Sequence, residues 1–388
     1  MDRDGKETNS VYDCSIWGKL RRLNVQPAGV ISKTRYAWID YAKAIAISLV
    51  VFGHVNSGIA KTPGISMGAA LSLLNDVVYS VHIPLFFVLG GYVASLLRNQ
   101  GPSSFARALL WGVAVPYVIW SVLWISFKAG MHDHTANPVA VAALLHIPWK
   151  PIAHMWFLYH LLFIRSGWFV LGRNGTNLQM AGAAGASALL SAVAAGFGPE
   201  WFALSFFLQN FALFGFGMLA LPSVMARLAE WGALRTAAIA AVLYGIAFLA
   251  GKAAFGGALP FLLGVTGAIA IIGVTRILPE PRGLSLRLLA FTGEASLAIY
   301  VMHLFVTTPM RHLLAHFGVL TEPNLLVIAT AAGIVIPAAA YWVALQMSAA
   351  TGQPIARYAG LGTASLSNYL PAGAFGVGTQ SLAADPRS

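Results

Sequence analysis

Residues 38–56, WIDYAKAIAISLVVFGHVN, are long and apolar enough to cross a bilayer, which takes about 20 residues. They nevertheless carry Asp40, Lys43 and His54. Ionisable side chains inside a membrane segment are costly, so each is a candidate functional group. Lys43 and His54 are eleven positions apart. At about 100° per residue they fall within about 20° of one helical stripe, about 16 Å apart along the axis. Asp40 lies close to the same stripe. A cation near one face and a titratable base deeper in form a layout for chemistry across a membrane.

The rest of the chain fits that setting. It is 58% hydrophobic and 10% charged, against about 25% charged residues in soluble domains. The composition therefore indicates an integral membrane protein. The surplus charge of +11 reads as Lys- and Arg-rich cytoplasmic loops, not as a nucleic-acid surface. One cysteine, Cys14, lies in the polar N-terminal stretch, which excludes an intrachain disulfide and a thiolate cluster. Residues 1–34 are polar and basic and the first apolar run is a full span, so no cleavable signal peptide is expected.

Apolar runs between charged or Pro/Gly-rich breaks predict an all-α polytopic fold of about ten transmembrane helices. They fall near 38–57, 76–97, 108–128, 152–171, 179–197, 202–221, 235–251, 257–278, 288–309 and 324–347. This divides the chain into a basic tail (1–34), a membrane domain (35–348) and a Gly-, Ala- and Ser-rich tail (349–388) expected to be disordered. With the N-terminus inside, 17 of the 24 lysines and arginines lie on the cytoplasmic side and five outside; Lys43 and Arg165 are intramembrane. The bias predicts that both termini are cytoplasmic. Lys43 then sits at the inner face and His54 in the outer half of the bilayer.

Other polar groups fall at similar depths. His82 enters the second span from outside. His154, Trp156, Tyr159 and His160 open the fourth, and Ser296 and His303 share a stripe of the ninth. These histidines lack metal-ligand spacing, HMWFLYH being i, i+6 where zinc helices show i, i+4. His132, Asp133 and His134 form a short outer-loop cluster that reads as solvated. On the inner side Lys43, Arg98, Arg107 and Arg165 gather near the ends of spans one to four. Arg98 and Arg107 satisfy the positive-inside rule on their own, and Lys43 can pair with Asp40 at i, i−3. Their functional reading is an anion site for the phosphates of a nucleotide-bearing cofactor. His54 suits general-base work, since an imidazole titrates near neutrality.

These residues carry a family resemblance. IDYAKAIAISLVVFGH resembles the first helix of the acyltransferase-3 family of membrane acyltransferases, whose signature of Arg or Lys, ten residues and His is met by Lys43 and His54. HIPLFFVLGGYVASLLRN resembles the second helix, with Gly90 where a Ser is common. SFARALLWGVAVPY resembles the third-helix entrance, with one Arg (Arg107) in place of a basic pair. MWFLYHLLF and SLAIYVMHLFV resemble the Trp-Phe-Leu segment and the late Tyr-x-x-His helix. The similarity covers about residues 35–347. Its fucose 4-O-acetylase-like and exopolysaccharide-modifying branches look nearest.

The resemblance implies an inner-membrane O-acyltransferase that moves an acyl group, usually acetyl, from cytoplasmic acyl-CoA to a hydroxyl. The acceptor would be an extracytoplasmic or lipid-linked glycan such as an exopolysaccharide, with polysaccharide assembly machinery as an implied partner. Lys43, Arg98 and Arg107, with Asp40 orienting Lys43, would bind acetyl-CoA. His54 would act as base or as the acylated nucleophile. His303 and Tyr300, or His82, would support catalysis by donating hydrogen bonds to the developing oxyanion. The alternatives are a sugar or lipid transporter or flippase, for which no paired helix interruptions are visible, and a non-catalytic subunit of a polysaccharide assembly complex.

Overall fold

A computed structural model describes residues 36–60, 68–130, 141–316 and 322–362, and among them every regular element is helical. Cys14, the basic tail and the cluster His132, Asp133 and His134 lie outside the described residues. Helix α1 (Ala37–Ile59) is the centre of the bundle. Tyr41, Ala42, Ala44, Ala46, Ile47 and Val51 have no exposed surface. Such all-round burial is what a helix apolar on every side adopts when it carries polar groups that lipid cannot satisfy.

The elements around it follow in order: α2 (Ala69–Leu96), α3 (Pro102–Gly130), α4 (Trp156–Asn174), α5 (Asn177–Ala194), α6 (Phe202–Leu219) and α7 (Leu221–Trp231), then α8 (Ala233–Phe255), α9 (Leu259–Ile277), α10 (Leu284–Glu294), α11 (Ser296–His316), α12 (Glu322–Thr351) and the short α13 (Ile355–Tyr358). Helix α3 contains a π-helical turn at Leu110–Ala114, and a 3-10 turn, Ala153–Met155, leads into α4. Helices α2, α9, α10, α11 and α12 all pack on α1. Large apolar side chains such as Leu243 and Leu249 on α8 and Val335 on α12 point outward, as a lipid-facing wall requires.

Inside lipid, helices associate by close packing and not by expulsion of water, so small residues mark their contacts. A Cβ on Gly91 of α2 would come within 2.0 Å of the Phe214 carbonyl oxygen, and one on Gly217 of α6 within 2.0 Å of the Val88 oxygen. The α2–α6 crossing is therefore backbone against backbone. At the start of α1, a Cβ on Gly293 would lie 1.8 Å from the Asp40 carbonyl oxygen, so the end of α10 seats directly on α1.

Among the described residues eight helices are long and apolar enough to span a membrane, or nine when α10 and α11 count as one. The expected number was about ten. The difference is α5, where the sequence placed a span at 179–197. Its capped first turn, with Thr176 and Gln179 satisfying each other's backbone groups, carries polar residues that dilute the apolar run. The expected ninth span, 288–309, is two helices meeting at an 81° bend beside Glu294 and Ser296. The C-terminal boundary also moves: α12 runs through Thr351, and Ala356 and Leu361 are buried. Trp120 Nε1 on α3 donates to the Ala359 oxygen at 3.2 Å, so residues 355–361 are packed and only 363–388 lie outside the described part of that tail.

The glycine contacts give a differential test. Gly217→Ala is expected to lower stability by about 1–3 kcal/mol through overpacking. Gly185→Ala in α5, where a Cβ meets nothing within 4 Å, is expected to be neutral or to gain up to about 1 kcal/mol from helix propensity. Melting curves in one detergent distinguish them.

Candidate active site

The helix directions define two ends. Helix α1 runs from Lys43 to His54. Helix α2 runs back along it: Asn56 Nδ2 donates to the Leu71 oxygen and to Asn75 Oδ1, both at 3.2 Å, and Trp38 meets Tyr92 at 5.4 Å. Helix α4 runs in the same sense as α2. The 3-10 turn that leads into it holds His154, among the histidines, and the helix finishes where Phe169, Gly172 and Arg173 share a cleft of about 230 Å³ with Arg98, Asn99 and Gln100. Arg276, in the last turn of α9, lies over the Trp38 ring at 5.6 Å. Arginines 98, 173 and 276 are thus gathered at the Lys43 end.

At the other end three imidazoles form a chain. The His54 and His303 rings are 5.1 Å apart, and His303 and His154 are again 5.1 Å apart. His303 has no exposed surface and His154 has 3%, whereas His54 is half-buried. His303 Nδ1 lies 2.7 Å from the Tyr300 oxygen and 3.1 Å from the Ile299 oxygen. Carbonyls only accept, so in neutral His303 the proton is on Nδ1 and Nε2 carries the lone pair. That Nε2 has no partner among the described residues, and neither does either ring nitrogen of His154. His303, expected at the depth of His54, lies beside it, and in its neutral form it offers an acceptor at Nε2 in place of an oxyanion donor. Tyr300 is not that donor either, because its hydroxyl donates to the His154 backbone oxygen.

His154 is held by an unusual local backbone. Ala153, immediately before it, has φ +47°, a left-handed conformation that an L-residue with a Cβ enters at a cost of about 1–2 kcal/mol. Trp124 and Tyr300 then close on the ring, at 5.7 and 5.3 Å. His82 does not join the chain. Its Nδ1 bonds to the Val78 carbonyl, and Tyr79 stands between it and His54, at 5.0 and 6.5 Å from the two rings. Among the described residues no three His, Cys, Asp or Glu side chains are grouped to hold a metal ion.

The cations divide into separate groups. Lys43 Nζ donates to Asp40 Oδ1 at 3.3 Å, and Asp40 is 2% exposed, so the expected i, i−3 pair forms. Arg98 faces the cleft with Arg173 and donates to Asn177 Oδ1 at 2.9 Å. Arg107 is exposed on the first turns of α3 and does not line that cleft, although the stacking of Phe105 on Phe169 at 3.9 Å ties those turns to the end of α4. Arg173 and Glu294, which is 7% exposed at the bend beside Gly293, are additions that only packing reveals. His154 had a sequence signal that was passed over: it precedes Arg165 by eleven residues, the spacing of Lys43 and His54 read in reverse.

A helical membrane bundle with cations at one end and a buried imidazole chain at the other is the architecture of a membrane group-transfer protein. The model of the acyltransferase-3 family, described as an acyltransferase domain, matches residues 36–342. The chain belongs to that family, and its described helices make it a multi-pass membrane protein. It is similar to nodulation protein NolL of Sinorhizobium fredii (strain NBRC 101917 / NGR234), with 30% identity over 128 residues, 32% of this chain and 33% of that protein. The match thus spans about a third of that relative's length. No solved structure matches.

If Ala153 is strained in order to aim His154, Ala153→Gly should relieve the strain and stabilise the protein by about 1 kcal/mol. It should also lower the transfer rate, because His154 is then less firmly placed. A raised melting temperature with reduced turnover is the expected pair of results.

Proposed function

We propose that this protein is an inner-membrane O-acetyltransferase with both termini in the cytoplasm. It takes an acetyl group from cytoplasmic acetyl-CoA and places it on a hydroxyl of an extracytoplasmic or lipid-linked glycan such as an exopolysaccharide. The observation that carries the reading is the single helix α1, which holds Lys43 about 16 Å along its axis from His54 while His303 and His154 lie alongside His54. The arginines at the Lys43 end fit an acidic donor, and that end is cytoplasmic by the charge bias.

In this reading the nucleotide end of the donor binds at Lys43, Arg98 and Arg173, and Asp40 orients Lys43. Arg107, on the exposed turns beside the cleft, supplies longer-range attraction. The pantetheine arm runs towards His54. His54 takes the proton from the acceptor hydroxyl, the oxygen attacks the thioester carbonyl, the carbon–sulfur bond breaks, and the departing thiolate takes the proton from His54. Once His54 carries the proton, the lone pair on His303 Nε2 accepts from it and steadies the charge, as a triad's third group does for its base. In the covalent variant a ring nitrogen of His54 attacks the thioester carbonyl, the carbon–sulfur bond breaks and the thiolate leaves with the imidazole proton; the acceptor hydroxyl then attacks the acyl carbon, the acyl–nitrogen bond breaks and the freed imidazole takes the hydroxyl proton. His82 supports the site through Tyr79.

The test is binding and turnover of labelled acetyl-CoA by protein in nanodiscs. Lys43→Ala is expected to bind at least about tenfold more weakly, the loss of a charge-assisted contact. His54→Ala is expected to bind normally and to lose about 10²- to 10⁴-fold in transfer. Wild-type turnover by a folded His54→Ala protein would sink the proposal. A folded wild type that binds no acyl-CoA but moves sugar across the membrane would identify a transporter instead.

A further inference from the structure

Helix α4 repeats the polarity of α1 in the opposite chain direction. His154 stands at the imidazole end, and Arg165 follows eleven residues later on the way to the Arg98–Arg173 cleft. The 3-10 turn that holds His154 and the nine helical residues that follow it advance about 17 Å, so Arg165 lies near the depth of Lys43. On α4 itself Arg165 falls within about 20° of the stripe of buried Leu158, seven residues earlier. Arg165 is half-buried. Unlike Lys43, it has no carboxylate or hydrogen-bond acceptor among the described residues.

An arginine in a membrane span without an internal partner is costly and marks a substrate or ion path. A guanidinium is a planar fork of five donors that matches phosphate oxygens two at a time. The cations also occur at two depths. Arg98 and Arg173 are exposed at the mouth, whereas Lys43 and Arg165 lie within the bundle. A coenzyme A molecule offers anions in the same order along its length, with a 3′-phosphate on the nucleoside and a diphosphate nearer the thiol.

We propose that Arg165 is a donor-binding residue that grips the diphosphate of acyl-CoA from the α4 side, at the depth where Lys43 approaches it from α1, while Arg98 and Arg173 at the mouth take the 3′-phosphate. The inference rests on acyl-CoA being the donor. It makes the absence of an internal partner for Arg165 the feature of use: the acceptor oxygens arrive with the substrate.

The experiment measures affinities of CoA and dephospho-CoA, which keeps the diphosphate and lacks the 3′-phosphate, for wild type, Arg165→Gln, Lys43→Gln and Arg173→Gln in nanodiscs, together with their melting temperatures. Arg165→Gln is expected to weaken both ligands equally, by about tenfold or more. Arg173→Gln is expected to weaken CoA and to leave dephospho-CoA nearly unchanged. Arg165→Gln should melt at or above the wild-type temperature, since it removes an uncompensated intramembrane charge; a structural arginine would lower it. The proposal is overturned if Arg165→Gln leaves CoA affinity within twofold of wild type while Lys43→Gln weakens it. It is also overturned if Arg165→Gln weakens only CoA, which would put Arg165 on the 3′-phosphate. Failure of folded wild type to bind either ligand would instead overturn the acyl-CoA reading.

Discussion

The structure depends on the cost of polar groups in a medium that offers them nothing. Asp40, Lys43, His54 and Asn56 lie on one short helix, and lipid would leave each unsatisfied. The bundle answers by placing α1 at its centre and packing five helices on it. Lys43 is paired with Asp40, Asn56 with α2, and His54 is set beside His303. The backbone-to-backbone contacts at Gly91, Gly217 and Gly293 follow from the same demand, because helices that cannot rely on expulsion of water must approach closely to hold together.

The two ends of the site are built on different physical terms. At the Lys43 end the cleft is open, arginines are exposed, and a charged ligand can be exchanged with water. At the histidine end the rings are enclosed by Trp124, Tyr300 and each other, in a setting where a placed lone pair is worth more than it would be in water. His303 is fixed by backbone carbonyls and not by a carboxylate, so its lone pair on Nε2 is available without a buried negative charge. On the proposed reading, the separation keeps the anionic phosphates of the donor away from the group that accepts a proton.

What could be read in the sequence was whatever a single helix encodes. The alignment of Lys43 with His54 and the pairing of Asp40 follow from 3.6-residue periodicity alone. The all-helical membrane fold followed from run length and composition. Contacts between helices were harder. That His303, and not His82, reaches His54 depends on where Tyr79 stands, and that Arg173, and not Arg107, shares the Arg98 cleft depends on how α4 ends. The 81° bend beside Glu294 is marked in the sequence only by the short polar stretch 292–296, TGEAS, which is too brief to split a span by hydropathy. The packing of residues 355–361 is not legible in the sequence, because small residues such as Ala356 make poor signals of burial until a partner surface is known.

The central position of α1 has a consequence for how the protein is made. The first of the described helices to be synthesised is enclosed mainly by later ones, since α9 to α12 supply most of its wall and come from the C-terminal third of the chain. For most of synthesis α1 must therefore wait in the membrane with its polar side chains uncovered. The i, i+3 pairing of Lys43 with Asp40 suits that interval, because a cation and a carboxylate one turn apart enter the bilayer as a nearly neutral unit before any other helix exists. In the proposed mechanism the same pair later orients a donor-binding lysine, so that insertion of the protein and its chemistry draw on one local contact.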